Sequence, residues 1–173
     1  MQHTYMSKVQ VLVVDDQGFS RRLLRLILGT LGCRRVSEAK SVETAWSKII
    51  LSPPDLLIVD WEMPESSGLE LVLRVRNDDD SPDPFMPIIM LTAYSELPRI
   101  VEARDAGINE YVVKPISPAA LFKRLDEVIE HPRKFVRTKT FFGPDRRRKN
   151  KPIDGNNRRK NKPEPEPTEV EEA

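Results

Sequence analysis

The sequence predicts an α/β domain in which five parallel strands alternate with five helices. Short, nearly continuous apolar runs at Val9–Val14, Leu56–Val59 and Pro87–Leu91 have the composition of strands buried on both faces. Between them lie segments whose apolar residues recur at helical spacing. Turn and capping residues separate the two kinds of segment throughout, so the alternation implies right-handed crossovers and a sheet covered by helices on both sides.

The elements follow in order. V-Q-V-L-V-V, residues 9–14, is a β-branched first strand ending at Asp15 and Asp16. Phe19, Leu23, Leu26, Ile27 and Thr30 then recur at helical spacing. This predicts a helix from Gly18 to Leu31 with Arg21, Arg22 and Arg25 largely outward and Gly32 at its C-terminus. Val36–Ala39 is a weaker strand. Ser41 caps a helix with Thr44 at the capping-box position, and Val42, Ala45, Trp46, Ile49 and Ile50 form its apolar face. Pro53-Pro54 ends that helix, and Asp55–Asp60 is the third strand. Gly68 opens a third helix, which the run N-D-D-D-S-P-D-P from Asn77 to Pro84 breaks. Pro87–Leu91 leads to Thr92, and Pro98 suits the first turn of a helix closing at Gly107. Asn109–Val113 is a fifth strand followed by Lys114-Pro115. Ser117-Pro118 starts a helix reaching Glu130.

This divides the 173 residues into a short N-terminal extension (1–7), a domain at 8–131 and a tail at 132–173. The net charge of +1 conceals a segregation. Residues 1–132 carry 15 Lys/Arg against 20 Asp/Glu, residues 133–162 carry 13 against 2, and the last eleven carry five Glu and no basic residue. The basic-then-acidic, Pro-rich tail lacks apolar residues to offset its ordering entropy, so most of 143–173 is expected to be disordered. The stretch F-V-R-T-K-T-F-F-G is the exception, with Phe135, Phe141 and Phe142 available to dock on the domain, form a short strand or meet a partner. The lone Cys33 excludes an intramolecular disulfide and suits a small buried hydrophobe. No apolar run is long enough to cross a bilayer and the N-terminus lacks a signal core, which predicts a cytoplasmic protein without membrane insertion.

Four strand ends share a chemical character: Asp15-Asp16, Asp60, Thr92 and Lys114. Singly, each has a plain role as a cap, a turn residue or an exposed lysine. Jointly, they stand at successive carboxyl ends of buried strands, where ligands bind in open α/β sheets. With the strand order 2-1-3-4-5, three carboxylates meet in one crevice. An oxygen-only set of that kind suits a hard ion such as Mg2+. A lysine and a hydroxyl beside it suit a phosphoryl group, and Asp60, central among the four, is the candidate nucleophile.

V-L-V-V-D-D (Val11–Asp16), L-L-I-V-D-W-E-M-P (Leu56–Pro64) with Gly68 downstream, I-M-L-T-A (Ile89–Ala93) and Y-V-V-K-P (Tyr111–Pro115) together resemble the receiver domain of two-component response regulators, over roughly residues 8–131. The resemblance implies a flavodoxin-like (βα)5 fold that takes a phosphoryl group from a histidine kinase or histidine phosphotransferase onto Asp60 and relays the signal to a downstream protein target. It implies direct Mg2+ ligation by Asp16 and Asp60, with Asp15 acting through water and the Glu62 backbone carbonyl completing the set. It further implies phosphoryl contacts from Thr92 and Lys114, a cis Lys114-Pro115 bond, and Tyr111 as the aromatic switch. Glu62 and Tyr94 occupy positions that modulate phosphate lifetime in the family. Trp61 is expected to be partly exposed.

The tail is too short and too polar for a winged helix, so no output domain is expected in it. Its arginine clusters, with Arg146, Arg147, Arg148, Arg158 and Arg159, suit a protein partner first. Cyclic di-GMP comes second and nucleic acid third, since the acidic end would compete for the basic run. A solvated tail without a ligand and dimerisation of the domain stay open. The contrasting enzyme is a Mg2+-dependent phosphatase of the haloacid-dehalogenase type. It would place D-x-D after the first strand, whereas Asp15 and Asp16 are adjacent.

Overall fold

The computed structural model describes residues 4–93, 95–146 and 168–170. A turn of 3-10 helix at Thr4–Ser7 precedes β1 (Gln10–Val14), α1 (Gly18–Thr30), β2 (Arg35–Ala39), α2 (Val42–Leu51), β3 (Leu56–Asp60), α3 (Gly68–Asn77), β4 (Ile88–Thr92), α4 (Leu97–Asp105), β5 (Glu110–Val113) and α5 (Pro118–Ile129). The five strands are all parallel, in the order β2-β1-β3-β4-β5. The predicted architecture and strand order are thus the observed ones. The caps act as the sequence indicates. Ser41 Oγ accepts from the Thr44 amide at 3.3 Å while Thr44 Oγ1 accepts from the Ser41 amide at 3.1 Å, and Ser117 Oγ accepts from the Ala120 amide at 3.1 Å.

Alternate residues of each strand feed two hydrophobic layers, which explains why the runs are continuously apolar. Leu12, Val14, Leu57, Val59, Ile88 and Met90 pack with Trp46, Ile49, Leu71, Val72 and Val75 on one side of the sheet. Val11, Val13, Leu56, Ile58, Ile89 and Leu91 pack with Leu24, Ile27, Leu28, Leu121 and Leu125 on the other, together with buried Cys33.

Three expectations about side-chain burial are corrected. The buried stripe of α1 is Leu24, Ile27 and Leu28, whereas Phe19 and Leu26 are 72% and 67% exposed. Leucines at 23, 24, 26 and 28 let two helical phases fit the pattern equally well. The phase that points Arg21 at the end of β1 is the one adopted. Ile50 is exposed at the end of α2. Trp61, expected to be partly exposed, is buried in the first of these layers, with the Arg99 guanidinium of α4 5.7 Å from its ring centre.

Beyond α5 the chain turns beneath the sheet. β6 (Phe135–Arg137) and β7 (Phe142–Pro144) form an antiparallel hairpin, and β8 (Thr168–Val170) pairs antiparallel on the other side of β6. The phenylalanines therefore both dock and build strands. Phe135 and Phe142 lie 5.1 and 5.3 Å from the Phe85 ring and 5.5 Å from one another. They cover Arg76, a fully buried guanidinium that donates to the carbonyls of Gly107 (2.9 Å) and Pro84 (2.7 Å) and to Asn109 Oδ1 (3.1 Å). Burial pushes Arg76 down to about 9, which leaves it a cation at neutral pH. Backbone meets backbone here: a Cβ on Gly143 would lie 2.8 Å from Gly107 Cα, and one on Gly107 would lie 2.7 Å from the Phe142 carbonyl. Arg133 donates to the Asn109 carbonyl and to the Asp145 carbonyl (3.0 Å), and pairs with buried Glu110 at 3.5 Å. The expected disorder over 143–173 falls mostly on residues outside those described. Of the described ones, Gly143 and Pro144 are in β7 and Thr168–Val170 form β8.

Candidate functional site

Each site residue sits where a buried strand ends. Asp15 follows β1, Asp60 and Thr92 are the last residues of β3 and β4, and Lys114 follows β5. Because the strands are parallel and in register, these ends open at one edge of the sheet, and the β1–β3 neighbourhood brings two of them side by side. Asp15, Asp60 and Thr92 are buried, at 0%, 3% and 3% exposure, and Asp16 is half-buried.

Carboxylate oxygens of Asp15, Asp16 and Asp60 lie within 4.8 Å of one another. Lys114 Nζ is 2.8 Å from Asp60 Oδ2 and 3.5 Å from Asp15 Oδ2. Asp15 Oδ1 accepts from the Gln17 amide at 2.7 Å, while Asp15 Oδ2 is buried and accepts no hydrogen bond among the described residues. Three carboxylates against one ammonium leave the pocket short of positive charge. A buried oxygen with spare lone pairs and an all-oxygen donor set fit a hard divalent cation such as Mg2+. Burial raises the Asp60 carboxyl above its ordinary range, partly offset by the hydrogen bond and charge of Lys114. Burial alone would lower Lys114. The hydrogen bond and charge of Asp60, with Asp15 behind it, reverse this and raise it.

The loop after Asp60 is fixed by backbone contacts. The Gly68 amide donates to the Trp61 carbonyl at 2.9 Å, and Ser67 Oγ donates to that carbonyl at 3.3 Å and accepts from Leu69 N at 3.2 Å. Glu62, whose carbonyl is the expected fourth ligand, bridges to Ser67 across this loop with its side chain exposed. At Gly68 a Cβ would stand 1.9 Å from the Asp60 carbonyl oxygen, so no other residue fits against the acceptor's own backbone.

Tyr111 is half-buried against the core with the Arg124 guanidinium 5.7 Å from its ring centre, and Lys114-Pro115 is cis. Arg124 in turn pairs with Glu110 at 3.1 Å, the carboxylate that Arg133 also reaches. Arg146 is held at the base of α4, 3.2 Å from Asp105 and 4.1 Å over the Phe141 ring. Tyr94, Arg147, Arg148, Arg158 and Arg159 lie outside the described residues.

Arg21 is the contact the sequence misplaces. It is half-buried and reaches back to the carbonyls of Asp15 and Asp16. The alternative helical phase of α1 was the signal that would have located it.

The family description "Response regulator receiver domain" matches residues 11–126. The chain is 38% identical over 122 residues to chemotaxis protein CheY1 of Helicobacter pylori, covering 70% of this chain and 97% of that protein. It is 39% identical to the chemotaxis protein CheY homolog of Campylobacter jejuni, covering 70% and 92%. The solved structure of Vibrio cholerae chemotaxis protein CheY4 superposes with a TM-score of 0.64 at 31% identity, covering 70% of this chain and 98% of that one. Among the described residues no helix is long and apolar enough to cross a membrane. A sheet-edge pocket of carboxylates facing a lysine, on this strand order and with these relatives, makes the chain a member of the response regulator receiver family, a CheY-like signalling module and not a metabolic enzyme.

Proposed function

We propose that the chain is a phosphorylation-dependent switch whose acceptor is Asp60. The observation that carries this is the convergence of Asp15, Asp16 and Asp60 within 4.8 Å beside Lys114 at 2.8 Å from Asp60. A carboxylate oxygen of Asp60 attacks the phosphorus of a phosphohistidine on a histidine kinase or histidine phosphotransferase. The phosphorus–nitrogen bond breaks and the imidazole leaves with the electron pair. Asp15, Asp16, Asp60 and the Glu62 carbonyl would hold Mg2+, which when bound neutralises charge on the phosphoryl oxygens.

Lys114 exchanges its ion pair with Asp60 for the phosphoryl group, and Thr92 donates its hydroxyl to another phosphoryl oxygen. As Thr92 moves, Tyr111 turns inward and biases the surface of α4, β5 and α5 toward a second arrangement that a downstream protein reads. The hairpin touches the base of α4 through Arg146 and of β5 through Arg133, so this rearrangement reaches it. Amide exchange over residues 133–146 is expected to change on phosphorylation; identical rates with and without a phosphoryl mimic would count against this route.

Incubation with acetyl phosphate and Mg2+ tests the acceptor. The unaltered chain gains one phosphoryl group by intact mass and Asp60→Asn gains none. Labelling of Asp60→Asn at the unaltered level would place the acceptor elsewhere.

A further inference from the structure

The metal-binding loop is held from behind by a residue on α1. Arg21 Nη1 donates to the Asp15 carbonyl at 2.7 Å and to the Asp16 carbonyl at 3.1 Å. Successive carbonyls point to opposite sides in a strand, so one nitrogen reaches both only because the chain leaves the extended conformation between β1 and α1. The same side chain is braced from β2, where Glu38 lies 3.2 Å from Arg21 Nε. Glu38 also pairs with Arg25 at 3.3 Å, but that arginine is 64% exposed, whereas Arg21 is 19% exposed. Charge-assisted bonds from a rigid planar fork restrict both the position and the orientation of what they hold.

The consequence falls on the carboxylates. With its backbone pinned and Oδ1 committed to the Gln17 amide at 2.7 Å, Asp15 leaves Oδ2 buried, 3.5 Å from the Lys114 ammonium and without a hydrogen bond among the described residues. We propose that Arg21, braced by Glu38, is a positioning residue for the metal site, holding the carbonyls of Asp15 and Asp16 so that their carboxylates meet the cation without reorganising. The proposal rests on the acceptor-site reading above. Residues that orient metal ligands from outside the ligand set typically carry roughly 10–100-fold in metal affinity, and Arg21 is assigned that range.

The test is Mg2+ titration of the full chain followed by tryptophan fluorescence, since Trp61 directly follows the acceptor. Arg21→Ala is expected to weaken Mg2+ binding by roughly 10–100-fold. Arg21→Lys, which keeps the charge and a donor, recovers part of the loss. Arg25→Ala, which removes a nearby cation that does not touch the loop, stays within about two-fold. Phosphorylation by acetyl phosphate should need more Mg2+ in Arg21→Ala yet reach the unaltered rate when Mg2+ saturates. Mg2+ affinity of Arg21→Ala within about two-fold of the unaltered chain overturns the proposal, as does an equal loss in Arg25→Ala.

If Arg21→Ala does not fold, Glu38→Ala decides the matter. It leaves the guanidinium but removes its brace, so weakening beyond that of Arg25→Ala supports the clamp and equality with it overturns the clamp. Absence of Mg2+ binding by the unaltered chain overturns the acceptor-site reading and the clamp with it. Binding by the unaltered chain with Arg21→Ala unaffected overturns the clamp alone.

Discussion

Adding one methyl group at Gly68 should damage both the stability and the chemistry of this domain. Gly68 opens α3, where alanine is ordinarily the better helix residue by up to about 1 kcal/mol. Here the new Cβ would stand 1.9 Å from the Asp60 carbonyl oxygen, 2.9 Å from its carbon and 2.9 Å from Val59 Cγ2. Ordinary carbon–oxygen approaches stop near about 3.3 Å, so either α3 or the end of β3 must retreat by more than about 1 Å. The end of β3 is buried, α3 packs one face on the core, and the two closest Asp60 contacts are backbone, so the overpacking cost of about 1–3 kcal/mol applies at its upper end. Net destabilisation of about 2 kcal/mol follows after the helix gain is subtracted. A displacement of about 1 Å at a nucleophile also costs roughly 100-fold in rate.

The matched control is Gly29→Ala. Gly29 lies in α1, and a Cβ there meets nothing within 4 Å, so that change should stabilise by about 0.5 kcal/mol. Urea unfolding of the two variants and phosphorylation by acetyl phosphate supply the measurements. If Gly68→Ala proves as stable as Gly29→Ala and is phosphorylated at the unaltered rate, the packing argument is refuted.

Further outcomes are expected. Phe135→Ala removes a ring shared with Phe85, Phe142 and the Arg76 guanidinium, and should cost about 3 kcal/mol or release the hairpin, whichever is smaller. A change below about 0.5 kcal/mol in urea unfolding would show that the hairpin adds nothing. We also propose that the cooperative unit extends to Arg146. A chain ending at Arg146 keeps β6 and β7, loses only the three-residue β8 of that sheet and should melt near the full chain, and one ending at Pro132 should melt lower because Arg76 and Phe85 lose their cover. Equal melting temperatures for the two truncations would reject this. Without Mg2+, the raised Asp60 carboxyl binds its proton more tightly folded than unfolded. Its contribution therefore favours the folded state below the ordinary carboxylate range and is lost as pH rises through the folded value. The stability of Asp60→Asn relative to the unaltered chain should accordingly increase between about pH 4 and pH 7.5, in equilibrium unfolding at both pH values. A flat difference would contradict the assigned burial of Asp60.

The sequence by itself determined the order of elements, the buried strands and the polar residues that close them at the sheet edge. These depend on local information: unbroken apolar runs require burial on both faces, caps and glycines end helices, and a polar residue closing such a run has only the sheet edge to occupy. Asp15, Asp60, Thr92 and Lys114 were legible for that reason. Tertiary structure decided what local pattern leaves degenerate. The leucine-rich α1 fits two helical phases, and the pair of carbonyls at the end of β1 settles the choice by attracting Arg21 inward. Trp61 is buried in the hydrophobic layer on one face of the sheet, where Arg99 of α4 lies over its ring, which its neighbours in sequence do not indicate. The hairpin stretch is too short and too charged to form a core of its own. It folds because Phe85, Arg76 and Gly107, brought together from α3, the α3–β4 loop and the α4–β5 turn, present a surface that its phenylalanines and Gly143 complete. Packing between segments distant in sequence carries that information, and periodicity along the chain does not contain it.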